Sequence, residues 1–387
     1  MTVDPMEIVR KAAPLDGEPV LMMPAEAYTS TEVLAWERRH LFAGTWTCLG
    51  RVADLFPVEA ERPVTQRALI LGDIACLLVN EQGTLRMYAN TCRHRGHELL
   101  PEGSSTERRS VVCPYHAWTY DLQGRLIGAK GFRDDEGFDF AEHTLAELPV
   151  RVWEGWVFGH ALHQAGSPQV PSFDEHLGAL DTVVAPYAPG TLVVGDRHTY
   201  EVAANWKVIS ENYHECYHCP LIHPELCQVS PPSSGDNYDL PGSWVGGSMD
   251  LRDGMRTMSL TGELAATPLP GAPPTTVEYL HLLPNLLVSA HPDYVMTHRM
   301  VPLAPDRTWV ECSWLVLPGA DGSVPAAAAA VAFWDLTNKQ DWAACESVQR
   351  GLASPHFAPG PFAPSEDAVA QLVSMIGRAY RTGRLVA

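Results

Sequence analysis

The sequence predicts an α+β fold in two successive parts. A small all-β unit comes first, followed by a larger unit in which helices cover an antiparallel sheet. Three observations predict this. From Trp46 to about His160, short apolar runs alternate with turn residues at close spacing, which is the texture of hairpins. The stretch "HQAGSPQVPSF" then breaks the pattern with the residues of a connector. Beyond it, "TTVEYLHLLPNLLVSAHPDYVMTHRMVPLAPDRTWVECSWLVLP" reads as several antiparallel strands, and two helical segments close the chain.

Each element has a local reason. "TSTEVLAWERRHLF", Thr29 to Phe42, opens on Ser/Thr caps and carries apolar residues at helical spacing, so it reads as a short amphipathic helix. In "ALILGDIACLLVNEQGTLRMYAN", "NEQGT" separates two apolar runs and predicts a hairpin. "AWTYDLQGRLIGA" predicts another, turning at Gln123 and Gly124, and "LPVRVWEGWVFGHAL" is strand-like and rich in Val and Trp. "TLVVGDRHTYEVAANWKVISENYHECYH" passes from strand to helix. Residues 228–275 are rich in Pro, Gly and Ser and read as long loops. "AAAAAVAFWDLTNKQDWAACESVQRGL" and "SEDAVAQLVSMIGRAYRTG" read as the two C-terminal helices, since a run of alanine suits a helix. The predicted organisation is an N-terminal segment, 1–43, that packs with the second unit, an all-β unit over 44–160, and the larger unit over 161–387. No internal repeat is present.

Composition excludes several classes. A chain of 387 residues with 46% hydrophobic and 19% charged residues is ordinary for a globular protein. A net charge of -19 with no basic stretch to offset it argues against nucleic-acid binding. No apolar run reaches the length of a membrane span, and the N-terminus lacks the apolar region of a secretory signal, so the expected compartment is the cytoplasm. Nine cysteines are too sparse for a disulfide scaffold. The expectation is reduced thiols, some of which hold metal.

Two clusters carry chemistry. In the first, "TCRHRGHEL" supplies Cys92 and His94, and "VCPYHAW" supplies Cys113 and His116. Each pair sits at a tight turn between predicted strands. Two chemistries use two Cys and two His: tetrahedral zinc, usually with wider spacing within each pair, and the Rieske [2Fe–2S] cluster. The Cys-then-His order on both loops favours the cluster, because each loop must reach both irons. His97 reads as structural rather than as a ligand.

The second cluster is "ENYHECYHCPLIHPEL", Glu211 to Leu226. His218 and His223 stand five apart, which suits a helix that ends or distorts between them, and Pro220 and Pro224 permit that. Two such histidines need a carboxylate to complete the 2-His-1-carboxylate face of a non-haem Fe(II) site. Cys216 and Cys219 form a CxxC without the strand and helix of a thioredoxin-like unit, so no redox role is assigned. His214 is assigned to the solvent or packing side.

With both clusters in view, the chain resembles the α-subunit of Rieske non-haem iron oxygenases over nearly its full length. The resemblance rests on "CRHRGH" and "CPYHAW" and on "ANWKVISENYHECYH" with its following histidine. The cluster loops lack the additional cysteine pair of the respiratory-complex type, which matches the lower-potential oxygenase kind. The resemblance implies a helix-grip-like catalytic domain after the Rieske domain. It implies His218 and His223 as iron ligands, with Asp341 in "NKQDWAACESVQRGLASPHF" as the third; Glu346 is the alternative, and Glu346 and Gln349 otherwise satisfy local backbone groups. It implies that Glu215 bridges His116 of a neighbouring subunit to His218 and carries electrons, within a homotrimer or trimer-based oligomer. NAD(P)H electrons would arrive through a flavin/[2Fe–2S] reductase or ferredoxin.

"ENYHECYHC" followed by "HPEL", with Glu at the bridge, looks most like the branch that acts on glycine betaine, stachydrine and carnitine. That likeness implies O2-dependent hydroxylation and oxidative N-demethylation of a betaine-type quaternary ammonium substrate held in an aromatic cage. Trp244, Tyr279, Tyr294 and Phe333 are the candidate walls. The alternatives are hydroxylation or O-demethylation of an aromatic carboxylate, and a non-catalytic Rieske electron carrier.

Overall fold

The chain's hairpins form where the turn chemistry permits, as the computed structural model shows for residues 4–15, 19–57, 63–132 and 137–385. Two compact units result, Glu37–Phe173 and Met1–Trp36 with Asp174–Ala387.

In the Glu37–Phe173 unit, a five-stranded antiparallel sheet runs in the order Ser105–Thr106, Gln66–Leu71, Ile74–Glu81, Thr84–Ala89, Glu147–Leu148. The "NEQGT" hairpin closes on Gln82 and Gly83, both at positive φ (51° and 90°). That pairing matches the right-handed twist of the flanking strands. The Val and Trp-rich stretch is a hairpin rather than one strand: Val150–Trp153 and Trp156–Gly159 turn at Glu154 and Gly155, again both at positive φ. A third small sheet joins Val111–Val112, Thr119–Tyr120 and Leu126–Gly128.

The central strand Ile74–Glu81 is buried on both faces, and its alternation serves two cores. Cys76 and Leu78 pack with Met87, Leu148 and Val157. Leu77 and Val79 face the other way, onto Tyr88, Trp118 and Tyr120, the cluster that also contains Cys92 and Cys113. The two cysteine loops are thus seated on an apolar floor.

The second unit is built on a seven-stranded antiparallel sheet. Its order is Val193–Val202, Arg307–Val316, Val295–Ala304, Leu286–Ala290, Thr276–Leu282, Trp244–Asp250, Asp236–Asn237. The helix Ala328–Leu352 lies on it, with Ala330, Phe333, Trp334, Thr337, Asn338 and Cys345 on its buried stripe. Phe333 and Trp334 pack against Tyr294, Met296, Cys312 and Trp314 of the sheet. The last helix, Asp367–Thr382, ends at Gly383 in the left-handed conformation. The N-terminal helix Pro5–Ala12 docks on it: Arg10 Nε donates to the Tyr380 carbonyl at 3.1 Å, and Arg381 Nη1 donates to the Ala13 carbonyl at 2.8 Å.

Two expectations are corrected. Residues 228–275 are not all loop, because Trp244–Asp250 pairs with Thr276–Leu282. The glycines that read as loop residues are there for close approach: a Cβ on Gly247 would stand 2.0 Å from the Asp236 carbonyl oxygen. The Thr29–Phe42 segment is not one regular helix either. It breaks at Ser30, continues as Thr31–Glu37, and widens to a π-turn over Arg38–Phe42. Among the described residues, no helix is long and apolar enough to cross a membrane.

Candidate active site and metal centres

In the all-β unit, the two cluster loops curl back on themselves through their own backbones. The amide of Cys92 donates to the His97 carbonyl at 2.9 Å, and that of Gly96 to the Cys92 carbonyl at 3.0 Å. Cys113 is held by the Trp118 carbonyl at 2.8 Å and receives the Ala117 amide at 3.0 Å. Gly96 and Ala117 both adopt positive φ (74° and 57°); for alanine this is a strained conformation, of the kind held at functional sites.

The loops bring the four predicted ligands together. Both thiols are buried. Burial pushes the Cys113 thiol up, and the Cys92 thiol beside it adds to the rise. The His94 and His116 rings stand 4.7 Å apart, and His94 stacks on Trp118 at 4.8 Å. The Nδ1 atoms of both histidines are buried without a hydrogen-bond partner. Two buried thiols and two orphaned imidazole nitrogens make the donor set of a Rieske [2Fe–2S] cluster. His97 keeps to the outside, its Nδ1 bonded to the Glu98 carbonyl at 2.6 Å.

The second centre begins at a helix that stops early. Asn205 caps Trp206–Tyr213 by accepting from the Lys207 amide at 3.0 Å. The helix ends at Tyr213, a new one spans only Cys219–Ile222, and Pro224 opens a third. His218 and His223 are the residues on either side of that four-residue helix. The interruption, not an i,i+4 face, turns the two imidazoles toward each other.

Their Nε2 atoms are 3.1 Å apart. Asp341, from the inward stripe of the long helix, places Oδ1 at 2.8 Å from His223 Nε2 and 3.3 Å from His218 Nε2. Ligands at about 2.1 Å from one metal and at right angles stand about 3 Å apart, so this triangle fits one face of an octahedral ferrous ion. Burial disfavours a charged His218, but the Asp341 and Glu215 carboxylates outweigh it and raise its pKa to about 9. The same negative charge suits a divalent cation. His218 Nδ1 is bonded to Glu215 Oε1, and His223 Nδ1 to Gln340 Oε1 at 2.7 Å. Each ring thus has one nitrogen supported from outside and one turned inward.

Glu346, the alternative third ligand, instead accepts from the Ala203 amide at 3.2 Å. Gln349 accepts from the Asn205 amide at 2.9 Å. His214 is on the packing side, stacked on His281 at 5.6 Å. The expectation of reduced thiols throughout is corrected at one place: Cys216 and Cys219 form a disulfide across the ligand segment, because the turn between the helices brings their Cα atoms to 4.9 Å. Thiol counting in denaturant will therefore give seven free cysteines before reduction and nine after it. Nine in both states would show the pair to be reduced.

A cavity of about 290 Å³ opens beside the triad. Tyr213, Tyr279, Trp334 and Trp342 line it: Tyr213 and Tyr279 rings meet edge-on at 5.9 Å, and Tyr279 and Trp334 at 6.3 Å. Trp334 is fixed by donating Nε1–H to the Tyr294 hydroxyl at 2.7 Å. Only Tyr279 of the four walls anticipated from sequence lines this cavity. Trp244, Tyr294 and Phe333 are buried in the core instead. Tyr213, Trp334, Gln340 and Trp342 were missed, although Trp334 lies two helical turns from Asp341 and Gln340 and Trp342 are its neighbours in sequence.

Comparison with known proteins finds matches to both parts of the chain. Residues 45–138 match the Rieske [2Fe–2S] domain, and residues 189–382 match the ring hydroxylating alpha subunit (catalytic domain). The glycine betaine monooxygenase oxygenase subunit of Chromohalobacter salexigens is 31% identical over 88% of this chain and 81% of its own length. The chain belongs to the Rieske non-haem iron oxygenase α-subunit family. This Rieske oxygenase is also 34% identical to the carnitine monooxygenase oxygenase subunit of Acinetobacter pittii, over 52% of each chain. Its fold is shared with a quaternary ammonium Rieske monooxygenase crystallised with L-carnitine (TM-score 0.71, 21% identity, 99% of this chain and 100% of the other). Naphthalene 1,2-dioxygenase from Rhodococcus shares it too (TM-score 0.71, 18% identity, 98% of each). As a family member it is a Rieske-type non-haem iron monooxygenase that uses a [2Fe–2S] cluster and a mononuclear iron.

Proposed function

We propose that this Rieske oxygenase is the terminal oxygenase for oxidative N-demethylation of a betaine-type quaternary ammonium compound. The observation that carries the reading is the aromatic-walled cavity beside three converging ligand atoms. A trimethylammonium group is bulky, cationic and unable to donate a strong hydrogen bond, so aromatic faces are what recognises it. Relatives named for glycine betaine and carnitine support the same class.

Cys92, His94, Cys113 and His116 would hold the cluster, and His218, His223 and Asp341 the ferrous ion. When bound, the two groups supply single electrons and activation of dioxygen. The chain's own residues do the rest. Tyr213, Tyr279 and Trp334 orient an N-methyl group toward the triad and exclude water. Glu215 holds the proton on His218 Nδ1, which leaves Nε2 free as a ligand. In a trimer-based oligomer it would link His218 to His116 of a neighbouring subunit; inter-subunit electron transfer is described for a quaternary ammonium Rieske monooxygenase of the same fold. Hydroxylation of the methyl carbon consumes O2, two electrons and two protons and releases water. The resulting N-hydroxymethyl cation loses formaldehyde and a proton to leave the dimethylamine. The electrons would come from NAD(P)H through a flavin/[2Fe–2S] reductase or ferredoxin, in the cytoplasm.

The test is formaldehyde release from a betaine panel and an aromatic panel, with NADH and a family reductase. Formaldehyde from a betaine is the expected result, and no product from any betaine removes the substrate class. Within the active panel, Trp334→Leu is expected to raise KM about 30-fold, because a desolvated cation–π contact contributes about 2 kcal/mol. An unchanged KM would take Trp334 out of the cage.

A further inference from the structure

The two iron-ligand imidazoles are not supported alike. His218 Nδ1 faces a carboxylate, Glu215, whereas His223 Nδ1 faces a neutral amide, Gln340, at 2.7 Å. An amide is an ambiguous partner: its oxygen accepts from Nδ1–H and leaves Nε2 for the metal, but its NH2 would donate to a bare Nδ1 and leave Nε2 protonated. One tautomer holds iron and the other does not. Gln340 has a second partner that removes the ambiguity. Its Nε2 donates to Glu225 Oε2 at 3.4 Å, and a carboxylate can only accept. Glu225 stands in the first turn of the helix Pro224–Val229, directly after His223.

We propose that Gln340 is a positioning residue that locks the metal-binding tautomer of His223, and that Glu225 acts through it by fixing which end of the amide faces the ring. The inference rests on the reading of His218, His223 and Asp341 as the iron site. It goes beyond that reading in making iron retention depend on a carboxylate that touches no ligand.

The experiment measures Fe(II) retention by chelator competition, the electron paramagnetic resonance signal of the nitrosyl adduct, and cluster absorbance as an internal control. Gln340→Leu is expected to weaken iron binding about 10- to 100-fold and shift the nitrosyl signal, with cluster absorbance unchanged. Glu225→Leu is expected to weaken it less, because the amide remains but is free to flip. Adding Glu225→Leu to Gln340→Leu should change nothing further, since Glu225 then has nothing to orient. Gln340→Glu combined with Glu225→Gln exchanges the two groups and should restore retention, because a carboxylate at 340 can only accept from Nδ1–H. Iron retention in Gln340→Leu equal to the parent overturns the proposal. So does a Glu225→Leu effect that persists in full on the Gln340→Leu background. If His223→Ala itself keeps its iron, the site assignment fails rather than the role of Gln340.

Discussion

Replacing Asp341 by alanine will empty the mononuclear iron site and stop oxygenation while the [2Fe–2S] cluster stays in place. Iron per chain should fall from about three to about two. Among the described residues, the carboxylate is the one anionic group whose oxygen lies within 3.3 Å of both imidazole Nε2 atoms. Burial works to raise its pKa, but the two histidines outweigh that and hold it below the usual carboxylate range. Without it, two neutral nitrogens 3.1 Å apart remain, a set too weak and too uncharged to keep Fe(II) against water. Cys92, His94, Cys113 and His116 belong to the other unit, so unchanged cluster absorbance confines the loss to the mononuclear site. A variant that keeps all its iron would overturn the assignment of Asp341. A variant with two irons would have the stoichiometry of an electron carrier, and its loss of product formation would show what the third iron is for.

Glu215→Gln should do the opposite, keeping both metal sites loaded and slowing turnover by about 100-fold. The glutamate accepts from the amides of Tyr217 and His218 as well as meeting His218 Nδ1, so it is anchored from its own segment. Glutamine keeps the length and removes the negative charge; its one acceptor oxygen must face His218 Nδ1 for the iron to stay, which gives up the Tyr217 and His218 amide bonds rather than the ligand tautomer. The measurement that isolates the effect is a single turnover with substrate, oxygen and a prereduced cluster. Cluster reoxidation should slow in the variant, while reduction by the reductase should not. Normal turnover would reduce Glu215 to a local capping group.

The two kinds of ligand were not equally legible in the sequence. Cys92, His94, Cys113 and His116 stand in two short loops whose spacing carries the chemistry, because each loop closes through its own backbone hydrogen bonds. His218 and His223 were less legible: Pro220 and Pro224 permit a break between them, but the upstream cluster and the resemblance were needed to turn that weak hint into an iron site. Asp341 needed the resemblance, since Glu346 five residues on had the same chemistry. The structure parts them by helical phase: Asp341 falls on the stripe of Trp334, Thr337 and Asn338 that faces the cavity, while Glu346 faces the Ala203 amide.

The aromatic walls were the least legible part. Trp244, Tyr294 and Phe333 are as apolar as Tyr213, Tyr279 and Trp334, and both sets are largely buried. Phe333 and Trp334 are adjacent on one helix, yet only the second lines the cavity. A helix turns about 100° per residue, so which of two neighbours meets the cavity depends on how the helix seats on the sheet. Gln340 has the same history: next to Asp341 in sequence, it reaches His223 only because the segment after Tyr213 folds over the helix. By itself, the sequence determined the donor types, their two clusters and most of the strand and helix order, because these follow from residue chemistry and local periodicity. Only the tertiary structure decided which acid meets the two histidines, which aromatics line the cavity beside them and which amide meets His223, because those depend on contacts between elements far apart in the chain.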